Sequence, residues 1–198
     1  MFYFFGLGNP GEEYENTRHN AGRMALLTIA KKNKFSDWKS DKIIKALISK
    51  GEITGKKVTF VLPETFMNNS GNSAVPIIKS KNDLKKLVVV YDEMDMPLSK
   101  IKLAFDRSSG GHNGLESIIK KVKSREFLRI RIGVSKMTAK GLAKKPSGEE
   151  AVIKHLMKKF SADEMDELKK VFKRVESAME IFVTEGKDKA MSIANQDK

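Results

Sequence analysis

Three histidines, His19, His112 and His155, are the residues of this chain that ordinarily titrate near neutrality. His19 stands in TRHNAG, just before a helical pattern. His112 stands in GGHNG, between a glycine turn and a helix, and His155 in a helix that reads as surface. Carboxamides and a carboxylate recur where strands give way to helices. Asn9 follows the first strand-like run, Asn68 and Asn69 follow VTFVLPETFM, Asp92 ends LVVVYD, and Asn113 precedes a helix. If the strands are sheet neighbours, these groups converge at one rim. A carboxylate there can hold a histidine's Nδ1–H and stabilise the imidazolium, leaving Nε2 to take a proton. Carboxamides can polarise a carbonyl or stabilise an oxyanion without adding charge. Taken singly, each is equally a helix cap or a turn former.

Other chemistries are poorly served. The chain has no cysteine, which excludes disulfides, thiolate ligands and a cysteine nucleophile. Its serine motifs, NNSGN and RSSGG, do not fit the G-x-S-x-G elbow. His19, His112 and Asp92 lack the local spacing of a zinc site, so no metal is expected. What remains is a general base acting on water. That suits an activated acyl bond such as an ester better than an amide.

GLGNPG, residues 6 to 11, places Gly6, Gly8 and Gly11 in the G-x-G-x-x-G pattern of a dinucleotide turn. The pattern requires a helix opening at the third glycine and an acidic residue about 20 positions on. Here EEYENTRHN follows Gly11, and the later stretch is the basic TIAKKNKF. The glycines are expected to make a sharp turn that exposes Asn9 at the sheet's rim.

The elements that must position these groups interleave. Residues 2–7 and 87–92 read as buried strands, and Met24, Leu27 and Ala30 mark a helix over 21–32. IIKALISKGEITGKKVTFVLPE reads as a hairpin around Gly51 and Gly55. A helix starting near Ser70 meets Pro76, which should kink or shorten it. KIKLAF is a further strand, and GGHNGLESIIKKVKS a glycine turn feeding a helix. FLRIRIGVS alternates apolar residues with Arg129 and Arg131, predicting one apolar and one basic face. Residues 136–148 read as a mobile basic loop. Capping boxes at Ser147…Glu150 and Ser161…Glu164 follow, the second opening a long amphipathic helix stopped by Gly186. Strands interleaved with helices predict one α/β domain over residues 1–198, a twisted mixed β-sheet flanked by α-helices.

A net charge of +13 and a pI near 9.7 call for a polyanionic partner, and most of the excess precedes residue 136. No run of 18 apolar residues occurs, and no basic leader precedes Phe2, so a cytoplasmic protein without a membrane partner is expected.

FGLGNPGEEYENTRHNAG, ETFMNNSG, VVVYDEMDMP, and SSGGHNGLESI followed by FLRIRIG resemble the bacterial peptidyl-tRNA hydrolase family, in order and spacing. The likeness covers most of residues 4 to 135. It implies cleavage of the ester between a peptide and the terminal ribose of tRNA, freeing tRNA for reuse in translation, by a monomer needing no cofactor or protein partner. By this resemblance His19 is the general base and Asp92 its orienting carboxylate. Asn9 distinguishes blocked from free aminoacyl groups. Asn68 and Asn113 bind the peptidyl-adenosine end, Asn113 also helping to position water, and Tyr14 and Phe66 line that site. Lys102 and Arg131 grip tRNA phosphate. The chain departs from the family at Ala104, where members often carry a second basic residue that Arg107 could replace, and in the sequence of the 136–148 loop. The alternatives are a non-catalytic RNA-binding relative and a nucleotide-dependent enzyme built on Gly6, Gly8 and Gly11.

Overall fold

The computed structural model describes residues 1–144 and 146–196. Its centre is one mixed sheet. β1 (Phe2–Gly6), β5 (Leu87–Pro97) and β7 (Leu128–Met137) run parallel, with β4 (Lys56–Pro63) parallel to β1 on the other side. β3 (Ala46–Ile53) and β2 (Lys39–Asp41) continue antiparallel beyond β4, and β6 (Ile101–Phe105) closes the opposite side antiparallel to β7. The β3–β4 hairpin turns at Thr54 and Gly55, both at positive φ (49° and 73°), which suits the twist of the flanking strands.

β5 shows why its sequence is continuously apolar. Val88 and Val90 face a core shared with α1 (Ala21–Lys32), α6 (Ala162–Glu185) and α7 (Lys187–Ala194). Leu87, Val89 and Tyr91 face a second core holding Leu84 of α3 (Lys81–Leu84), Ala74 of α2 (Gly71–Ala74) and Leu115 and Ile118 of α4 (Asn113–Val122). A strand buried on both faces has no place for alternation.

Several elements differ from their sequence reading. β1 ends at Gly6, and the strand read as 87–92 runs on to Pro97. α2 is one turn long, shortened ahead of Pro76, and β2, α3 and α7 carry too weak a periodicity to be seen in the sequence. The expected mobile loop is largely a hairpin. β7 runs to Met137 and β8 (Ala143–Lys144) pairs back onto it, Lys136 opposite Lys144. Lys145 of that segment lies outside the described residues. The capping box at Ser147…Glu150 does not form. Gly148, at φ 87°, is the N-cap of α5 (Glu149–Met157), with no side-chain cap. The box at Ser161…Glu164 does form at the start of α6. Asn195, past α7, accepts from Leu103 N–H (2.8 Å) and donates to Leu103 O (3.0 Å), which occupies the exposed edge of β6.

Candidate active site

His19 sits in a 3₁₀ turn, Arg18–Asn20, immediately before α1. The start of α1 is drawn onto the ends of β1 and β5: Leu7 N–H donates to Val90 O and Arg23 N–H to Leu7 O, each at 2.9 Å. Gly22 allows this approach, since a Cβ there would collide with the Val90 carbonyl. A Cβ at Gly6 would in turn meet the Gly22 carbonyl oxygen at 2.7 Å. Gly11 (φ 110°) opens only the 3₁₀ turn Glu12–Tyr14. Within the glycine pattern, Gly6 therefore serves close backbone packing and Gly11 a turn at positive φ. The pattern supplies no helix N-terminus for a pyrophosphate, and the dinucleotide alternative falls.

The other wall of the turn is set by Arg18, a buried side chain that sequence reading passed over. Its guanidinium pairs with Glu164 (2.6 Å), donates to Lys159 O (3.2 Å) and lies over the Phe160 ring. Glu164 also accepts from Ser161 N–H (2.9 Å), so the capping box of α6 anchors the loop that carries His19. Burial opposes ionisation of Glu164, but Ser161 N–H and Arg18 hold its carboxyl below the ordinary range.

Asp92 projects from the middle of β5 and is 3% exposed. His19 Nδ1 lies 3.0 and 3.1 Å from its two oxygens, so Nδ1–H donates and Nε2 is the nitrogen left to take a proton. His112 Nε2 also meets Asp92 Oδ1 at 3.0 Å. Its Nδ1 accepts from Leu115 N–H (3.2 Å) as the cap of α4, which fixes the proton on Nε2. The two imidazole rings are 5.0 Å apart. Burial pulls His19 down, but the charge and hydrogen bond of Asp92 outweigh it and raise the imidazole above its ordinary value. Burial also works against a charged Asp92, yet the two histidines keep it well below the usual carboxylate range.

Asn9 is buried and its amide has one orientation. Oδ1 accepts from Met67 N–H (2.8 Å), which leaves Nδ2 as the donor. Asn20, a second residue missed in the sequence, clamps the Asn9 backbone. Its Oδ1 accepts from Asn9 N–H (2.8 Å) and its Nδ2 donates to Asn9 O (3.0 Å). Asn68 is exposed one residue from Met67, and Asn113 is exposed one residue from His112. Tyr14 and Phe66 stand edge to face at 6.5 Å, with Phe66 60% exposed. His19 and Asp92 thus meet directly, Asn9 joins them through Asn20 on the same turn, and Asn68 and Asn113 are the chain neighbours of Met67 and His112. His155 is half-buried on α5, where the sequence placed it at the surface.

By distance alone, His19, Asp92 and His112 could hold a metal, their ligand atoms lying within 4.8 Å of one another. The donor pattern does not fit. A histidine that ligates through Nε2 carries its proton on Nδ1 and donates it onward. His112 Nδ1 instead faces the Leu115 N–H.

Lys102 and Arg131 lie apart from this cluster, directly opposite each other on β6 and β7. With Arg107, Arg129 and Tyr91 they line a cavity of about 460 Å³. The basic face expected of β7 is not free. Arg129 is 1% exposed and spends its guanidinium on the Ser108 carbonyl (2.8 Å) and the Arg107 carbonyl. Arg131 bonds Glu93 at 2.9 Å through Nε and Nη2. The exposed cations of the cavity are Lys102 and Arg107. Tyr91 joins the two regions: it lines the cavity and its ring stands 4.9 Å from that of His112.

A mixed α/β sheet carrying a buried imidazole–carboxylate pair, with a basic cavity beside it, has the groups of a hydrolase. The family model described as peptidyl-tRNA hydrolase matches residues 3–198. The chain is 40% identical over 197 residues to the peptidyl-tRNA hydrolase of Carboxydothermus hydrogenoformans, covering 99% of each. It is 38% identical over 196 residues to that of Clostridium acetobutylicum, covering 98% of each. The crystal structure of peptidyl-tRNA hydrolase from Acinetobacter baumannii superposes with a TM-score of 0.85 at 32% identity, covering 98% of this chain and 94% of that one. The chain belongs to the peptidyl-tRNA hydrolase family.

Proposed function

We propose that this protein hydrolyses the ester between the peptide and the tRNA of peptidyl-tRNA, with His19 as the base. Water lies against His19 Nε2 and gives up a proton as its oxygen bonds to the ester carbon. The imidazolium so formed is stabilised by Asp92 through Nδ1. When the tetrahedral intermediate collapses, the C–O bond to the ribose breaks and the leaving oxygen takes the proton from Nε2. Asn68 and Asn113, with amides open to solvent, bind the peptidyl-adenosine end, and Tyr14 and Phe66 offer it ring faces. Asn9 contributes selectivity. Its committed Oδ1 leaves only the Nδ2 donor, which donates to the carbonyl of a blocked amino group and has nothing to offer the ammonium of a free one.

The basic cavity takes phosphate of the tRNA, with Lys102 and Arg107 as its open charges and Arg131 reached only in competition with Glu93. Arg107 thereby supplies the second charge absent at Ala104. Among the described residues no helix is long and apolar enough to cross a membrane. We take residues 1–198 as one catalytic domain acting as a cytoplasmic monomer.

The observation that carries this reading is the His19 Nδ1–Asp92 pair at 3.0 Å beneath an uncommitted Nε2. It also favours an enzyme over a purely RNA-binding relative, because phosphate binding needs no such pair. Purified protein incubated with N-acetyl-aminoacyl-tRNA and a chelator should release tRNA and the N-acetyl amino acid. Binding without release would overturn the assignment.

A further inference from the structure

His112 has no task in the mechanism above, yet it is bound into the cluster at both ring nitrogens. Asp92 Oδ1 accepts from His112 Nε2 and from His19 Nδ1, each at 3.0 Å. Two imidazoles therefore share one carboxylate, and they are not equivalent. Protonating His112 would set a new Nδ1–H against the Leu115 N–H, remove the cap of α4, and place a cation at the positive end of a helix dipole. Protonating His19 at Nε2 breaks none of the hydrogen bonds described.

We infer that His112 is a positioning residue for water activation: its Nε2–H fixes the Asp92 carboxylate in rotation and draws off part of its charge. The inference rests on the reading of His19 as the base. A carboxylate given over wholly to one imidazole would raise its proton affinity further and so favour the imidazolium, which is inactive as a base. A second donor on the same oxygen moderates that pull while leaving the orientation of His19 intact.

The groups packed around His19 are few. β5 presents Asp92, with Tyr91 and Glu93 beside it in sequence. The cap of α4 presents His112. Arg18 on the same turn is already paired with Glu164, and half-buried His155 lies on α5. Among the described residues, Asp92 meets the His19 ring by hydrogen bond and His112 by ring contact.

The experiment compares wild type, His112→Ala and His112→Gln by the pH profile of kcat/KM on N-acetyl-aminoacyl-tRNA, with circular dichroism and thermal melts to confirm folding. Glutamine cannot titrate but keeps an N–H able to reach Asp92. The acid limb of His112→Ala should move up by about one pH unit, while His112→Gln stays near wild type. NMR titration of the His19 ring in the same proteins reads the shift without activity, and should rise only in His112→Ala. An unmoved His19 titration in folded His112→Ala overturns the inference, as does an equal shift in His112→Gln. A wild type that fails to hydrolyse the ester would instead overturn the assignment of His19 as base, and the NMR comparison would still decide what His112 does.

Discussion

The rim that holds His19 and Asp92 and the basic cavity meet at Tyr91 but are built by opposite rules. At the rim, His19, Asp92, His112, Asn9 and Asn20 are all held by named partners at 2.8 to 3.2 Å. In the cavity the arginines that are held, Arg129 and Arg131, are spent on carbonyls and on Glu93. The cations left over, Lys102 and Arg107, are exposed. Proton transfer fails if a donor strays by a fraction of an ångström. Attraction to a phosphate backbone acts over about 8–10 Å at ordinary ionic strength and asks only for charge. Substitutions at the rim should therefore change turnover, and those in the cavity should change affinity and its salt dependence.

The sharpest contrast is expected from His19→Ala. It should lower kcat by about 10³–10⁴ while leaving tRNA affinity within about twofold, measured by single-turnover hydrolysis and by filter binding. Equal loss of both would make His19 a structural residue of the rim and erase the contrast. Asp92→Asn should follow at about 10² in kcat. Its amide removes the negative charge that stabilises the His19 imidazolium, and sets an NH2 group against His19 Nδ1–H where Oδ2 now lies at 3.1 Å. In wild type, kcat/KM should fall as pH drops through the His19 pKa, because the base must be neutral. That limb should lie above the ordinary imidazole value, since Asp92 more than offsets the effect of burial. A limb at or below the ordinary value would mean that Asp92 does not act on His19 in solution.

The same contrast governs what the sequence could reveal. α1 was legible to the residue, although of its three marker residues Met24 and Ala30 are buried and Leu27 is exposed. Asp92 and Asn9 were legible because each ends a strand-like run. His112 was noticed, but its bond to Asp92 spans 20 residues and depends on where α4 is capped, which local pattern does not encode. Arg18 and Asn20 flank His19, yet their partners lie 146 and 11 residues away. Arg129 misled, since alternation on β7 suggests an open basic face, whereas the segment of Arg107 and Ser108 takes its guanidinium onto backbone carbonyls. The two capping boxes make the point within one motif. Ser161…Glu164 forms because Arg18 also holds the glutamate, while Ser147…Glu150 is displaced by a glycine at positive φ.

Asn9→Ala sits between the two regimes, because it removes the proposed hydrogen bond to substrate and the one from Met67 N–H but touches neither base nor charge. The ratio of kcat/KM for N-acetyl-aminoacyl-tRNA over free aminoacyl-tRNA should fall about tenfold, the value of one well-placed hydrogen bond of ~1.4 kcal/mol. Loss of activity on both substrates with the ratio intact would make Asn9 a support for the Met67 turn and leave selectivity to other groups.

The smallest effects belong to the cavity. Lys102→Ala and Arg107→Ala should each leave kcat at saturating substrate within about twofold and weaken tRNA binding severalfold at low salt. Each should also reduce the slope of log K against log salt by about one. Arg131→Ala should change that slope less, because its charge is already balanced by Glu93 across a 2.9 Å pair. Glu93→Gln would then act in the opposite sense, freeing Arg131 and steepening the slope. The order of the three cations decides the contrast. If Arg131→Ala has the largest slope change, tRNA pulls the arginine away from Glu93, and the cavity is rearranged by its ligand where the rim is set in advance. If Lys102→Ala and Arg107→Ala dominate, both regions stand ready before substrate arrives, one by hydrogen bonds and the other by uncommitted charge.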